Sequence, residues 1–227
     1  MKTPSPLFRN VLTATVTVAA LALFGFGSHP IRLSDAKNVR DVALRAYIQR
    51  DADTLAKLNS DSELNRCGLN DQQLRDYYNE VVFPVLDQVH FSGDNCKLSD
   101  TIDYADFECS FKNEYGQTSG FIDRAWKTAT GVERESLSAG ISTHAYLMLP
   151  KYKDVPMAIA FWKARMDAID ELRPKLQSLG IRKISRMSDQ ALTLDELHDL
   201  FERAMRKAEA MDNQLRNDPQ APNTVAP

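Results

Sequence analysis

The spacing of hydrophobic residues along the chain changes twice. From about residue 34 to residue 90 apolar positions recur every three to four residues, and from 104 to 149 they tend to alternate with polar ones. After Pro156 the spacing of three to four residues returns. A period of 3.6 residues is typical of amphipathic helices, and a period of two is typical of half-buried strands. The sequence therefore predicts an α+β domain in which helices precede and follow an antiparallel sheet.

Polar residues that can cap a helix stand before each of the first three predicted helices. Asp35, Asp51 and Asn70 each precede an apolar-periodic stretch, and Gln73 completes a capping box with Asn70. The third helix contains Pro84, which should kink it because proline has no backbone N–H.

Three stretches of the middle region are predicted as strands of a meander. Residues 107–111 alternate strictly between apolar and polar side chains, and residues 119–128 follow after a Tyr-Gly-Gln turn. A longer strand is predicted over residues 141–149, with His144 and Tyr146 on the same face. Because turns rather than helices join these stretches, the sheet should be antiparallel.

The region after Pro156 is predicted to be mostly helical. Its first apolar stripe is interrupted by Pro174, which predicts a kink or two separate helices. Residues 181–187 suit a short strand.

The last predicted helix spans residues 193–216 and is amphipathic. Thr193 and Glu196 form a capping box at its start. Its apolar face could pack on the domain, or it could bind a protein partner, since methionine-rich faces adapt readily. The residues of this face include Phe201, Met205, Ala208 and Met211.

Residues 42–58 have the sequence Val-Ala-Leu-Arg-Ala-Tyr-Ile-Gln-Arg-Asp-Ala-Asp-Thr-Leu-Ala-Lys-Leu, an apolar helix, a short turn and a second helix. Together with the predicted meander, this pair resembles the opening of the NTF2-like (cystatin-type α+β) proteins, over about residues 35–150. The resemblance implies helices packed on a curved antiparallel sheet that encloses a cone-shaped cavity. Some relatives use this cavity for catalysis and many only for binding. The helices after Pro156 depart from the family pattern, in which the chain ends on strands.

The first thirty residues are predicted to direct the chain to a membrane. Lys2 and Arg9 precede the uncharged residues 10–28, which as a helix would span roughly 28 Å, about a hydrocarbon core. This favours an uncleaved signal-anchor with a cytoplasmic N-terminus. Gly25 and Gly27 also suit a signal peptide cleaved after Gly27. The domain should lie in the periplasm or outside the cell, membrane-anchored or secreted to the periplasm; a buried helix of a soluble fold is the remaining interpretation.

Four regions follow from these predictions. They are the signal-anchor or signal peptide (1–30), an extracytoplasmic α+β domain (34–190), the C-terminal amphipathic helix (193–216) and a tail (217–227). The tail contains three prolines and little apolar bulk, so it should be disordered.

The charge of the chain argues against nucleic acid as a partner. Without residues 1–27 the chain loses Lys2 and Arg9, which leaves 26 basic side chains against 31 acidic ones. Neither half contains a basic cluster of the kind that phosphate binding requires.

The three cysteines predict one disulfide. A hairpin centred near residues 102 and 103 would place Cys96 opposite Cys109. Cys67 is predicted as a partly buried thiol in a loop, with pairing to another cysteine or a reactive thiol as alternatives. No Cys-x-x-Cys motif supports thioredoxin-like redox chemistry.

Histidine supplies the one weak catalytic candidate. His29, His90, His144 and His198 include no His-x-x-x-His pair, so neither a metal nor a cofactor is predicted. His144 and Tyr146 could line a cavity together if both lie on one strand face. The alternative is a hydrogen-bonded histidine at the surface of the sheet.

Carboxylates give no clearer signal. Asp106 and Glu108 are predicted on the solvent face of their strand, and the surrounding loop is too poor in oxygen ligands for calcium. Gly-x-Ser-x-Gly and phosphate-loop motifs are missing from the sequence.

We therefore expect a non-catalytic envelope protein with a binding or scaffolding role, attached to the membrane by its N-terminal helix. One alternative is a small hydrolase or isomerase that acts in the cavity, with His144 as general base and Tyr146 assisting. Another is a subunit of an envelope machine, docked by the C-terminal helices.

Overall fold

The computed structural model describes residues 35–217 except for residues 60, 129, 130, 136 and 187. The predicted signal or membrane segment, and the predicted tail beyond Asn217, lie outside the described residues. Within the described part, no helix is both long and apolar enough to cross a membrane. The described residues belong to one compact α+β unit, as predicted.

The first helices begin at the predicted polar caps. Asp35 and Asp51 each accept a hydrogen bond from a backbone N–H in the first turn of the following helix, and Asn70 forms the capping box with Gln73. These helices are α1 (Ala36–Gln49), α2 (Ala52–Leu58), α3 (Asp61–Cys67) and α4 (Asp71–Tyr77).

Pro84 does not end the third predicted helix. From α4 the chain continues through a π-helical turn (Tyr78–Val82) into α5 (Phe83–Gln88), which contains the proline in its first turn. Proline cannot donate to the carbonyl one turn earlier. The wider hydrogen-bond spacing of the π-helical turn, directly before Pro84, accommodates the missing donor.

Four strands form an antiparallel sheet in the order β1-β2-β3-β4. Cys96 lies opposite Cys109 with a Cα–Cα distance of 4.0 Å, and the two sulfurs are at disulfide distance, as the predicted hairpin requires. The strands are β1 (Cys96–Asp100), β2 (Tyr104–Lys112), β3 (Thr118–Thr128) and β4 (Gly131–Glu135).

Aromatic side chains fill the space between α1 and one face of this sheet. The ring of Tyr47 in α1 lies 5.8 Å from Phe107, 5.5 Å from Phe121 and 5.9 Å from Tyr78, measured between centroids. Such tilted and edge-to-face contacts add to the free energy gained by burial. We call this the core face, and the opposite side of β2 and β3 the outer face.

One edge of β3 is covered by a helix. β4 pairs only with residues 124–128, so within the described ranges the first half of β3 has no strand partner besides β2. Helix α6 (Ser138–Met148) packs against β3 there. The backbone N–H of Gly140 donates to the Tyr77 hydroxyl (3.1 Å), and a Cβ at Gly140 would come within 2.6 Å of that oxygen.

The predicted strand over residues 141–149 is therefore wrong, because most of these residues belong to α6. The helix is enclosed by β3, the π-helical turn and α7 (Met157–Ser178), and it buries side chains on several sides. A helix buried on several sides lacks the 3.6-residue period of a surface helix. The residues around Thr143 and Ala145 therefore show an alternating pattern that resembles that of a strand.

The C-terminal region forms a helix pair with a small two-stranded sheet between. Pro174 lies inside α7, which is one helix rather than two. Strands β5 (Lys183–Arg186) and β6 (Ser188–Thr193) lead into α8 (Leu194–Asn217), which begins at the predicted capping box: the Glu196 N–H donates to Thr193 Oγ1.

Helix α8 packs on α7 through its N-terminal half. Phe201 is 9% exposed and lies 5.6 Å from the Trp162 ring, so this part of the apolar face packs on the domain. Met211 and Leu215, further along, are 55% and 65% exposed. Binding of a protein partner by this end of α8 stays a prediction.

Candidate functional site

A cleft of about 620 Å³ lies between the outer face of β2 and β3 and the three helices α6, α7 and α8. The sheet supplies its floor, α7 and α8 supply an aromatic wall, and Ile184 of β5 contributes at one side. The floor and the α6 side are lined by Glu108, Ser110, Thr118, Ser119, Gly120, Phe121, Ile122, Ser138, Ile141 and Ser142.

The floor is built from small side chains. Ser110 and Gly120 face each other across β2 and β3. No Cβ fits at Gly120, since it would clash with the backbone carbonyl oxygen of Cys109. The small residues keep the floor open, and the hydroxyls give it several hydrogen-bonding groups.

The wall is formed by Phe161 and Trp162 of α7 with Leu197 and Phe201 of α8. The rings of Phe161 and Trp162 meet edge to face with centroids 4.9 Å apart. Trp162 is half-buried, and Phe201 is buried. This wall is the kind of surface that binds apolar groups in ligand sites.

One positive charge projects into the cleft from α7. The guanidinium of Arg165 stacks over the Phe161 ring, 3.8 Å from its centroid, and donates a hydrogen bond to Ser119 Oγ at 3.3 Å. Burial lowers the pKa of Arg165 to about 10, which still leaves it charged at neutral pH. Within the described residues it forms no ion pair. Glu108, the one carboxylate of the lining, is exposed.

His144 and Tyr146 do not lie on a strand and do not line this cleft. Both belong to α6, and neither is among the α6 residues of the lining, which are Ser138, Ile141 and Ser142. His144 Nε2 lies 3.1 Å from Glu171 Oε2 on α7, and its Nδ1 is buried with no hydrogen-bond partner in the described part. The ring of Tyr146 packs 5.5 Å from Phe111 on the core side of the sheet.

The surroundings of His144 form a polar cluster between α6, the following turn and α7. Lys151 donates to Glu171 at 2.8 Å, and Lys151 and then His144 lower the pKa of that carboxyl group. The Tyr152 hydroxyl donates to Asp167 at 2.9 Å, and burial together with this bond raises the pKa of Tyr152 to about 12. Each of these contacts joins α7 to α6 or to the turn that follows α6, so the cluster has a structural role.

A buried ion pair in the core was not predicted. Arg134 of β4 is fully buried and makes a bidentate pair with Asp123 of β3, at 2.8 and 2.6 Å. Its remaining nitrogen donates to Asn59 Oδ1 (2.6 Å) and to the Leu55 carbonyl (3.1 Å). Burial by itself would lower the pKa of Arg134, but the charge of Asp123, the nearby Tyr78 and Tyr47 and the hydrogen bond to Asp123 together outweigh it and hold the pKa well above its usual value. The signal in the sequence was a charged residue at an inward-facing position of each strand.

The prediction that Asp106 is solvated is wrong. Asp106 is 4% exposed on the outer face of β2, where Arg124 of β3 donates to it at 2.7 Å. Arg124 in turn stacks 4.1 Å over Tyr104 and 5.0 Å over Trp126. Glu108, two residues on, is exposed as expected.

The remaining candidates lie away from the cleft. His90 follows α5 with a positive φ of 51°, and His198 of α8 lies 3.6 Å from Asp170. His29 is outside the described residues. Cys67 ends α3 rather than lying in a loop, and it is 6% exposed.

The cone-shaped cavity implied by the NTF2-like resemblance would lie between helix and sheet on the core face. There the rings of Tyr47, Phe107 and Phe121 pack against one another, and Phe121 also belongs to the lining of the cleft described above.

No protein-family model, no characterised protein and no solved structure matches the chain. The geometry of the cleft is therefore the basis on which a function can be argued.

Proposed function

We propose that the domain is a binding module that holds a small, largely apolar molecule in the cleft on its outer face. The observation that carries this proposal is the cleft itself. Its volume of about 620 Å³ is in the range of small-molecule sites, and its wall is aromatic with polar groups on the floor.

Binding without catalysis is favoured by the chemistry of the lining. A serine nucleophile needs a base within hydrogen-bond reach. Among the described residues, the Ser119 hydroxyl accepts from Arg165 and donates to the Ser142 carbonyl, neither of which can take its proton. A hydrolase that uses His144 has less support, because His144 and Tyr146 lie outside the lining.

A neutral environment-sensitive fluorophore, N-phenyl-1-naphthylamine, tests the binding proposal. We expect its emission to rise on addition of the domain, with one site per chain. Ser110→Trp places a large ring on the floor of the cleft and should abolish the rise. Lys112→Trp is the matched control, because Lys112 is exposed on the same face of the same strand but outside the lining. Equal binding by both variants, or no binding by the wild type, would refute the proposal.

We also propose that the domain works outside the cytoplasm, held by an N-terminal signal-anchor or released to the periplasm by cleavage near Gly27. The uncharged residues 10–28 behind Lys2 and Arg9 support this location. The Cys96–Cys109 pair supports it independently, since disulfides persist in oxidising compartments.

A reporter enzyme that is active only outside the cytoplasm, fused after Pro227, tests this location. The fusion should be active, and Leu21→Arg, which places a charge in the uncharged stretch, should reduce its activity. An inactive wild-type fusion with normal expression would rule out export.

A further inference from the structure

We infer that the molecule held in the cleft is an amphiphile with one carboxylate, and that the carboxylate binds Arg165. This inference rests on the proposed function, because it names the class of ligand for the same cleft. It starts from a cation that the described residues leave without a counter-charge.

Three arginines that are removed from solvent in this domain, Arg40, Arg124 and Arg134, have acidic partners. Arg40, Arg124 and Arg134 are 4%, 19% and 0% exposed in their side chains, and each forms an ion pair with an aspartate. Pairing is expected because a guanidinium taken out of water costs free energy unless charges and hydrogen bonds compensate it. Arg165, half-buried at the wall of the cleft, is different: among the described residues it has only the Phe161 ring and the Ser119 hydroxyl.

The contacts of Arg165 orient it without using up its donors. Stacking on Phe161 fixes the plane of the guanidinium, and Ser119 accepts from one N–H. Ser119 is itself 5% exposed and is held by its bond to the Ser142 carbonyl, so it supports the orientation. A guanidinium has five N–H donors in a planar fork that matches a carboxylate. The donors that remain are available to a ligand in the cleft.

The rest of the lining limits the ligand to a single negative charge. Arg165 is the one cation among the lining residues, and Glu108 at the exposed side would repel a second anionic group. Ile122, Trp162 and Phe201 leave mainly apolar surface for the remainder of the molecule. A monocarboxylate with an apolar body fits both features.

Three probes with the same 12-carbon chain test the inference: dodecanoate, dodecanol and dodecylammonium. Affinity is measured at pH 7.5, below micellar concentrations, by the fluorescence of Trp162 in a Trp126→Phe background, since the chain has two tryptophans. We expect dodecanoate to bind about 10-fold or more tightly than dodecanol, from a charge-assisted hydrogen-bond pair. Dodecylammonium should bind more weakly than dodecanol.

Two charge-neutralising variants then assign the preference to one residue. Arg165→Gln keeps a donor for Ser119 and should lower dodecanoate binding to the level of dodecanol, with dodecanol unchanged. Lys163→Gln, two residues away on α7 and outside the lining, is the matched control and should keep the preference. Glu108→Gln should strengthen dodecanoate binding slightly.

The outcomes separate the two proposals. Equal affinity for dodecanoate and dodecanol overturns the carboxylate inference but leaves the binding cleft in place. A preference for dodecanoate that survives in Arg165→Gln overturns the assignment to Arg165. If none of these probes nor the neutral fluorophore binds, the proposed function itself fails. The wild-type comparison stands even if Arg165→Gln does not fold, and Arg165→Lys, which keeps the charge, should retain part of the preference.

Discussion

Two arginines in this domain show how the same side chain can serve stability or binding. Arg134 is enclosed by Asp123, Asn59 and a backbone carbonyl, so its donors are engaged inside the protein. Among the described residues, Arg165 contacts only the Ser119 hydroxyl and the Phe161 ring, and its guanidinium lies in the lining of the cleft. The first arrangement is expected to matter for folding and the second for recognition.

Asp123→Asn tests the structural role of the buried pair. The change leaves the Arg134 charge without a counter-charge in the core, which should cost about 3 to 5 kcal/mol of unfolding free energy. The measurement is urea denaturation followed by far-UV circular dichroism. Asp106→Asn, at the less enclosed pair with Arg124, is the control and should cost less. A loss of under about 1 kcal/mol for Asp123→Asn would mean that the pair is dispensable.

At the scale of elements, local signals were sufficient where a helix begins at the surface. Asp35, Asp51, Asn70 and Thr193 can be predicted as caps because a cap bonds to residues only two or three positions away. Helix α6 was missed because its neighbours, which are distant in sequence, bury several of its sides.

The cleft could not be predicted for a related reason. Arg165 and Ser119 are 46 positions apart and meet only when α7 packs beside β3. Nothing close to either residue in the sequence indicates that they form one site. The hairpin of β1 and β2 can be predicted from the sequence, because Cys96 and Cys109 are close along the chain and oppose each other across a single turn.

The contact of Glu171 with Lys151 and His144 joins α7 to α6 and to the turn that follows it, and it should make stability depend on pH. Lys151 and then His144 lower the pKa of Glu171 from its ordinary value of 4.5. A depressed carboxyl pKa stabilises the fold above that value, and the contribution disappears as pH falls through the lowered pKa. Glu171→Gln should therefore be less stable than wild type at pH 7, by about 0.5 kcal/mol for such an exposed pair, and the difference should shrink as the pH falls through the lowered pKa.

The reciprocal variant checks this assignment. Lys151→Met removes the larger cause of the shift, so its stability should also approach that of the wild type as pH falls. Denaturant titrations at several pH values between 7 and 3 give the comparison. A gap between wild type and Glu171→Gln that stays constant over this range would show that the pair contributes no pH dependence.

For the whole molecule, the Cys96–Cys109 disulfide is expected to be a main restraint on the unfolded chain. The cysteines are 13 positions apart, and closing a loop of this length contributes about 3 kcal/mol in the chain-entropy estimate. Reductant should therefore lower the denaturation midpoint of exported protein. Cys67→Ala should keep this sensitivity, and non-reducing peptide mapping should find Cys96 linked to Cys109. A linkage that involves Cys67 would contradict the register of β1 and β2.

The position of α6 beside β3 bears on how the protein fails when it is stressed. An unpaired strand edge can pair with a second molecule, and covering it with a helix is one way in which proteins prevent aggregation. Here that cover is one helix, held in part by the close approach of Gly140 to Tyr77. Gly140→Ala, which crowds this contact, should aggregate on heating, seen as light scattering, before circular dichroism reports global unfolding, whereas Ser138→Ala should behave like wild type. The shelf life of the protein would then be limited by detachment of α6 rather than by its melting temperature.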